Sequence, residues 1–524
     1  MPNYKPYDYN QTAMVVINYE DQLQPGTFEH ALRHLVDSRL DLSCFDEKYN
    51  NAEGGRIAYD PAILLKIILF AYSKGITSSR EIEWCCKTNI IFKALSCDTI
   101  PHFTTIASFI SSHPETIEEL FSQIVLVCDQ EGLLGKELFA IDGCKMSSDA
   151  AKEHSGTFKE LAAKRDKIKR QIRQLMTSQK QMDRYDSLDE DRTKRTAKTL
   201  NTLNKAFDRY DHFLKTNSPR IGQGKTPKEV KSNTTDNESA KMTTSKGTIQ
   251  GYNGVATVDK KHQVIIDAQA FGQGSEHHTL APVLETVRDR FSRLKIRKDI
   301  YKGRYKPIIT ADTGFANEAN MRYLYEHKVN AYIPDNQFRQ RDPRFAEQKA
   351  KYGKRHQDKP KGTIRDVIPA KEFQFDPVSK TCVCPAGKTI SHRGVRENQL
   401  GQTVAYFEGR LLQCRHCDLK EKCMQNPESA DHGKGTGRQV SFVVNDKRKP
   451  TYTDWMKQRV DSVKGKVIYG HRMSVVEPVF ANIAVQKRLG RFSLRGKKKV
   501  DGQWKLYCMV HNIEKLMRNA SLTP

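Results

Sequence analysis

The first quarter of the chain repeats its hydrophobic residues at helical spacing. From about residue 27 to residue 134, apolar side chains recur every three or four positions, which is typical of amphipathic helices. Asp60-Pro61 marks one helix start, because an acidic N-cap followed by proline is favoured there. A cluster of such helices favours a helix-turn-helix domain, although a helical bundle without a DNA role has the same pattern.

Strand patterns follow, and two of them end on an acid. Residues 138–142 and 307–312 are short apolar runs that predict buried strands ending at Asp142 and Asp312. Between them, 252–258 and 263–270 predict a β-hairpin, and 278–294 predicts a helix. The alternation predicts an α/β fold with a mixed sheet, in which ligand sites gather where strand ends open a crevice.

Two long helical patterns interrupt this sheet in the sequence. Apolar residues at helical spacing, with basic flanks, predict an antiparallel coiled-coil hairpin over residues 152–215. Its basic residues suit contact with phosphate, and a solvated coiled-coil face is the commoner interpretation of such charges. Residues 216–248 are rich in Lys, Thr, Ser and Asn and predict a loop.

A third acid lies near the end of the chain. Apolar residues recur on one helical face from Ser474 onward, so Glu477 is predicted at a helix start, where the dipole favours a carboxylate. Taken alone, Glu477 is an ordinary helix-start residue, and Asp142 and Asp312 are ordinary turn acids. Taken together, three acids from two strands and a helix can hold two divalent metal ions.

The three acids suit phosphoryl chemistry. Magnesium prefers oxygen ligands and keeps several waters, so a few carboxylates and the phosphate of the substrate suffice. Two ions about 3.5–4 Å apart can activate a water or a 3′-hydroxyl and stabilise the leaving oxygen. Arg472 and the basic run 487–491 would then face the phosphates, whereas a solvated helix face explains each basic residue singly.

Five of the 12 cysteines fall in one short region. They are Cys382, Cys384, Cys414, Cys417 and Cys423. The last four predict a tetrahedral thiolate zinc site, with His392 and His416 as alternative ligands. The competing interpretation is a set of reduced thiols that pack a small β-rich module. Such a zinc site would be structural, because four thiolates leave no open position for catalysis.

The charge favours a polyanionic partner. The 524 residues include 87 Lys and Arg against 62 Asp and Glu, for a net charge of +25. Nucleic acid is the expected partner, and an anionic membrane surface is the competing one. The longest apolar run, Ala62 to Tyr72, is too short to span a bilayer, and the N-terminus has no signal-peptide core. We therefore expect a cytoplasmic, nucleoid-associated protein.

Several short motifs run along the chain in order. They are Gly55 to Pro61 with Thr104 to Ala107, Phe139 to Gly143, Gln250 to Asn253, Ala311 to Phe315, Val476 to Phe480, Arg491-Phe492, Arg495-Gly496 and His511-Asn512. Together these motifs resemble those of the DDE transposases of bacterial insertion sequences, and the resemblance covers most of the chain.

The resemblance implies a ribonuclease-H-like catalytic core. It implies that Asp142, Asp312 and Glu477 hold two magnesium or manganese ions. Cleavage at the terminal inverted repeats of the element would follow, with strand transfer into target DNA by the freed 3′-hydroxyl. Double-stranded DNA is then the partner, and the pairing of two DNA ends makes a homodimer the natural expectation.

One array of the family departs from its usual form here. Tyr469, Arg472 and Glu477 are present, with four residues rather than three between Arg472 and Glu477. Ala484 occupies the usual lysine position, and the nearest lysine is Lys487. The residues expected to contact DNA are Tyr469, Arg472, Lys487, Arg488 and Arg491.

The patterns and the resemblance predict a mixed α/β core with a helical N-terminal domain and two insertions. The segments are a leader (1–25), a helical DNA-binding domain (26–135), a catalytic core (136–150, 235–337 and 465–520), a helical hairpin with a loop (151–234), and a charged linker with a Cys-rich insertion (338–464). Two rival functions remain open at this point: a DNA-binding protein of the same ancestry without catalysis, and a stand-alone metal-dependent nuclease.

Overall fold

The fold is described from a computed structural model of the chain. The structure describes residues 16–48, 54, 57–182, 190–222, 227–245, 247–345, 367–398, 401–433, 435–445 and 450–520. They fall into two units, of which the first covers 1–336 with 459–524 and the second covers 337–458. Each unit is described by itself.

The described helices and strands have the following bounds. The helices are α1 (Phe28–Ser38), α2 (Pro61–Ser73), α3 (Ser79–Thr88), α4 (Ile90–Ser96), α5 (Phe103–Ser112), α6 (Pro114–Gln130), α7 (Phe158–Met182), α8 (Glu190–Thr216), α9 (Leu280–Arg293), α10 (Glu318–Glu326), α11 (Phe338–Arg341), α12 (Leu411–Arg415), α13 (Lys420–Cys423), α14 (Tyr452–Asp461), α15 (Val463–Ala481) and α16 (Lys497–Asn519). The strands are β1 (Leu138–Ser147), β2 (Ser155–Gly156), β3 (Arg220–Ile221), β4 (Glu229–Val230), β5 (Ser232–Asn233), β6 (Ala240–Thr244), β7 (Gly247–Asp259), β8 (Ile265–Phe271), β9 (Ile308–Ala311), β10 (Ala331–Tyr332), β11 (Gln374–Asp376), β12 (Thr381–Val383), β13 (Thr389–Glu397), β14 (Thr403–Glu408) and β15 (Gln439–Asn445).

The N-terminal region is helical, as predicted. The predicted start of α2 is confirmed, because the Asp60 side chain accepts from the Ala62 N–H and Pro61 is the first helical residue. The apolar run of α2 is buried against α16, where the rings of Tyr72 and Tyr507 stack at 4.4 Å. The N-terminal helices therefore share a core with the last helix of the chain.

The sheet of the first unit is mixed, as predicted. Its strand order is β10-β9-β1-β7-β6, and β8 also pairs with β7. Strands β10, β9 and β1 are parallel, whereas β7 runs antiparallel to β1 and to β8. The predicted hairpin and the predicted helix at 278–294 correspond to β7, β8 and α9.

The prediction that the first strand ends at Asp142 is wrong. Strand β1 continues to Ser147, because residues 139–147 all pair with the long strand β7. Only the parallel pairing with β9 stops just before Asp142, at Ile141. The polar residues after Asp142 therefore belong to the part of β1 that pairs with β7 but no longer with β9.

The two predicted long helices are confirmed as α7 and α8, which pack against each other. Leu161, Tyr210 and Phe213 form a buried cluster between them, and Arg165 lies 3.3 Å from Asp211. The prediction that 216–248 is all loop is wrong in part. Strands β3 to β6 lie there, and β6 adds to the sheet because it pairs with the N-terminal end of β7.

The prediction that Glu477 lies at a helix start is wrong. Helix α15 begins at Val463, where the Ser462 side chain accepts from the Gly465 N–H, and Glu477 lies in its last turns. A π-helical turn over Asn482–Gln486 follows. Within the described ranges, no helix is long and apolar enough to cross a membrane.

The second unit contains an antiparallel sheet in the order β11-β12-β13-β14-β15. Its buried core consists of Phe373, Cys382, Ile390, Ala405, Phe407 and Val440. The short helices α12 and α13 follow β14 and carry Cys414 and Cys423, and Cys417 lies in the turn between them. Most of the predicted charged linker, 346–366, lies outside the described residues.

Candidate active site

Two neighbouring parallel strands place Asp142 and Asp312 side by side. The register pairs Ile141 of β1 with Ala311 of β9, so the next residue on each strand is an aspartate. Parallel strands lie about 4.8 Å apart, which brings the two carboxylates to one edge of the sheet. Asp312 directly follows β9, as the sequence predicted.

Helix α15 places Arg472 against these two aspartates. An Arg472 guanidinium nitrogen lies 2.8 Å from Asp142 Oδ2, and another lies 3.9 Å from Asp312 Oδ1. Arg472 is only 7% exposed. Burial raises the pKa of Asp142, and the Arg472 charge and the Gly143 N–H only partly oppose this shift. Arg472 is therefore the main cation that stabilises Asp142 in its ionised form.

A third carboxylate in this cluster is Glu276, which the sequence analysis missed. Its Oε1 accepts a hydrogen bond from Asn253 Nδ2 at 3.2 Å. Burial raises the pKa of Glu276, and the charges of Asp142 and Asp312 raise it further, which places all three carboxylates in one electrostatic environment. Because β8 runs parallel to β1, its end opens at the same sheet edge. The direction of β8 is the feature that could have placed Glu276 near Asp142 and Asp312.

Two glycines make room for the Glu276 carboxylate. A Cβ atom added to Gly143 would lie 2.7 Å from Glu276 Oε1, and one added to Gly314 would collide with Oε2. Gly143 follows Asp142, and Gly314 lies two residues after Asp312. The carboxylate therefore occupies a slot that side chains at these two positions would close.

The turn that carries Glu276 is fastened to the segment after Asp312. The side-chain amides of Asn317 and Asn320 both donate to the His277 carbonyl, at 2.9 and 3.0 Å. Asn320 also donates to the Phe315 carbonyl at 2.8 Å. These bonds fix the turn at 276–278 relative to the short 3-10 turn that follows Asp312.

Comparison with known families gives two matches along the chain. Residues 17–112 match a transposase domain (DUF772), and residues 383–517 match a transposase DDE domain. These two matches indicate a DDE-type transposase of an insertion element. The resemblance found in its motifs is thus confirmed, and the mixed α/β architecture agrees with it. No curated protein matches this transposase.

The carboxylate cluster of this transposase has the chemistry that divalent cations require. Asp142 and Asp312 contact one guanidinium, and the charges of both act on Glu276. Asn253 Oδ1 is buried without a hydrogen-bond partner among the described residues. Carbonyl and carboxylate oxygens are the ligands that magnesium prefers. Across the described ranges, no three His, Cys, Asp or Glu side chains are already grouped as a metal site. Arg472 instead lies between the two aspartates.

Glu477 lies on the exposed side of α15 in this transposase. It lies five positions after Arg472 along the helix, which turns its side chain about 140° around the helix axis. Arg472, Val475, Val476 and Val479 form the buried side, and Glu477 is exposed. The structure therefore brings Asp142, Asp312 and Arg472 together, whereas Glu477 lies on a different side of the helix that carries Arg472. Its predicted role as a metal ligand stays a prediction.

The residues predicted to contact DNA have different surroundings. Lys487 is 1% exposed, and its Nζ lies 2.6 Å from Glu514 Oε1, so it faces the interior. Arg488 is exposed, and its side-chain carbons cover Gly75 at the end of α2. Arg491 is exposed and pairs with Asp149, and Tyr469 is half-buried on α15 near Arg472.

Proposed function

We propose that this DDE transposase binds the terminal inverted repeats of its own insertion sequence, cuts the DNA there in a metal-dependent reaction, and transfers the freed strand to target DNA. The observation that carries the proposal is the adjacency of Asp142 and Asp312, each of which directly follows the last residue of the parallel pairing between β1 and β9. The proposal includes a homodimer in which each protomer binds double-stranded DNA.

Asp142, Asp312 and Glu477 are the proposed ligands of two magnesium or manganese ions. The ions, when bound, supply the charge that activates the attacking oxygen and stabilises the leaving oxygen. Glu276 adds a carboxylate to the same edge, and Asn253 fixes its position. The positive charge of Arg472 balances Asp142 in the described structure. A cation at the aspartates would free that guanidinium for a DNA phosphate.

Two exposed arginines extend the proposed DNA surface from this edge. The side chains of Arg491 and Arg495 are 61% and 54% exposed, and Asp149 binds both. Arg495 also donates to the Asp149 carbonyl at 2.9 Å. Asp149 follows the end of β1, so both guanidinium groups have a fixed position near the strand that carries Asp142. Lys487 is not part of this surface, because it is buried against Glu514.

The test uses labelled DNA from the ends of the element, with magnesium or manganese, and compares the wild type with Asp142→Asn and Asp312→Asn. We expect both variants to bind the DNA and to lose at least about 100-fold in cleavage rate, because each removes a charge that the reaction needs. The exposed Asp98→Asn variant is the matched control and should cleave normally. Equal cleavage by all four proteins would contradict the assignment.

The same reaction separates the two rival functions. A protein that only binds DNA gives no metal-dependent cleavage with any substrate. A stand-alone nuclease cuts the DNA but leaves only free ends. A transposase additionally yields joined products when unlabelled target DNA is added, and these products should disappear in Asp142→Asn.

A further inference from the structure

Four cysteines of the second unit line one small cavity. Cys384, Cys414, Cys417 and Cys423 all contribute to its wall, and its volume is about 30 Å³. They come from three separate places: the turn after β12, helix α12 with the turn that follows it, and helix α13. A cavity of this size holds a single water-sized occupant.

Local backbone structure fixes the positions of these thiols. The Gly387 N–H donates to the Cys384 carbonyl at 2.8 Å, and the Cys384 N–H donates to the Lys388 carbonyl at 2.9 Å. Gly387 has a φ of +71°, which a residue with a Cβ rarely adopts. This tight turn after β12 exposes Cys384 to the cavity.

Glycines also crowd the sulfur of Cys414. A Cβ atom at Gly409 would lie 2.7 Å from Cys414 Sγ, and one at Gly437 would lie 3.0 Å from it. The Gly409 N–H also donates to the Arg438 carbonyl at 2.8 Å. Two backbone segments therefore enclose this sulfur closely, which suits a fixed ligand better than a mobile thiol.

The other candidate ligands lie elsewhere in the second unit. Cys382 is fully buried in the hydrophobic core with Ile390 and Phe407. The ring of His392 packs against Phe407 at 5.1 Å between centroids. The described cavity wall includes neither of these residues, nor His416. Four of the five thiols thus line the cavity, whereas Cys382 lies in the adjoining core, against which Cys384 and Cys423 also pack.

We propose that Cys384, Cys414, Cys417 and Cys423 bind one structural zinc ion. Four thiolates suit tetrahedral zinc, with Zn–S distances of about 2.3 Å. In the described part of the chain no three ligand side chains are yet spaced as a metal site, so the ion would draw the sulfurs together. Lys388 and Arg438 line the same cavity and would offset the two negative charges of a zinc tetrathiolate.

The proposed ion would fasten three parts of a small module. With four thiolates it has no open position, so it is structural and separate from the acids of the active site. It would join the turn after β12 to α12 and α13, two helices of only five and four residues. Helices this short are marginal without tertiary contacts. The inference is independent of the proposed function.

The decisive measurement is made on the purified full chain, without chelator during purification. We expect one zinc per chain by elemental analysis, and X-ray absorption at the zinc edge should show four sulfurs at about 2.3 Å. A zinc content near zero, also after incubation with zinc under reducing conditions, would overturn the proposal. Nitrogen in the coordination shell would overturn the ligand assignment, because it would place a histidine among the ligands.

Variants then test the identity of the ligands. Cys417→Ser should lower the bound zinc from one per chain to near zero. Cys97→Ser is the matched control, because Cys97 is an exposed free thiol of the first unit, and it should retain the ion. Cys382→Ser should retain it as well, and loss of zinc in that variant would contradict the separation of core thiol from cavity thiols. If Cys417→Ser does not fold, the absorption spectrum of the wild type still decides.

Discussion

Two glycines at the candidate site leave room for the Glu276 carboxylate. Glu276 lies in a half-buried slot between Gly143 and Gly314, and Asn253 donates to its carboxylate. The charges of Asp142 and Asp312 raise the pKa of Glu276, and a cation bound beside it would favour its ionised form. We therefore infer that Glu276 matters chiefly when cations are present.

Replacement of Glu276 tests this inference. Glu276→Ala should lower DNA cleavage about 10- to 100-fold and raise the magnesium concentration needed for half-maximal rate, because residues that support a metal site typically have effects of this size. The measurement is cleavage rate against magnesium concentration. The control, Glu285→Ala, removes an exposed glutamate of α9 and should leave the curve unchanged. An unaltered magnesium curve in Glu276→Ala would remove Glu276 from the site.

Substitution of Gly314 should reproduce that effect from the opposite side of the slot. A Cβ at Gly314 collides with Glu276 Oε2, which is the end of a flexible side chain and can move at lower energetic cost than backbone atoms. Gly314→Ala should therefore displace the Glu276 carboxylate and leave the stability of the protein nearly unchanged. The losses in Gly314→Ala and Glu276→Ala should not add in the double variant. Gly433→Ala, where a Cβ meets nothing within 4 Å, is the control. Additive losses would contradict the shared mechanism.

At the scale of elements, the helix that ends the fold is fastened to the hairpin of the sheet. Asn512 of α16 exchanges two hydrogen bonds of 2.8 Å with the backbone of Ile265. The neighbouring His511 ring lies 2.9 Å from the Gln263 carbonyl through Nε2 and 2.9 Å from Asn482 Nδ2 through Nδ1. Because an amide N–H must donate to Nδ1, the partners assign the neutral tautomer with the proton on Nε2. The His511-Asn512 motif is therefore structural.

This neutral histidine predicts a loss of stability in acid. Burial lowers the pKa of His511 to about 3, whereas an unfolded histidine titrates near 6.5. Between these values the unfolded chain binds the extra proton, so this contribution is complete above pH 6.5 and is lost as the pH falls toward 3. The slope is at most about 1.4 kcal/mol per pH unit.

Urea unfolding midpoints between pH 7 and pH 4 give the measurement. Other groups also titrate in this range, so the informative quantity is the difference between wild type and His511→Gln. Glutamine keeps a donor for Gln263 but takes up no proton, and its midpoint should fall less steeply. Parallel curves for the two proteins would show that His511 does not cause the acid sensitivity.

The elements differ in how well their sequences predicted them. Helices and strands with continuous apolar patterns, such as α2 and β9, were predicted correctly. The first half of α15 was missed because its buried face includes Gly465 and Arg472, which carry no hydrophobic signal. The second half of β1 was missed because its pairing partner, β7, is distant in sequence.

The candidate site was predictable only in part, for a related reason. Asp142 and Asp312 each follow an apolar run of residues, and that local pattern is visible in the sequence. Glu276 has no such local signal, because only the direction of β8 brings it to the same edge. The orientation of Arg472 toward the aspartates depends on the rotation of α15, which its start at Val463 determines.

At the scale of the whole first unit, a buried ion network joins the N-terminal helices to the sheet. Arg290 of α9 lies 2.7 Å from Asp267 of β8 and 2.6 Å from Glu118 of α6, and the side chains of Arg290 and Asp267 are each 1% exposed. Lys505 of α16 reaches Glu118 at 3.1 Å. Burial raises the pKa of Asp267, and the Arg290 guanidinium opposes that shift. Each charge therefore depends on the others to remain buried.

Removal of Arg290 should consequently destabilise the first unit strongly. Arg290→Ala leaves Asp267 and Glu118 without their shared cation, and breaking a buried pair from one side costs about 3–5 kcal/mol. The measurement is the urea midpoint of the full chain by tryptophan fluorescence, since Trp504 is buried in this unit. Arg293→Ala is the matched control: Arg293 lies on the same helix and pairs with Glu119, but it is half-exposed, and its loss should cost at most about 1 kcal/mol. Equal midpoints for the two variants would mean that the network does not hold the helical region to the sheet.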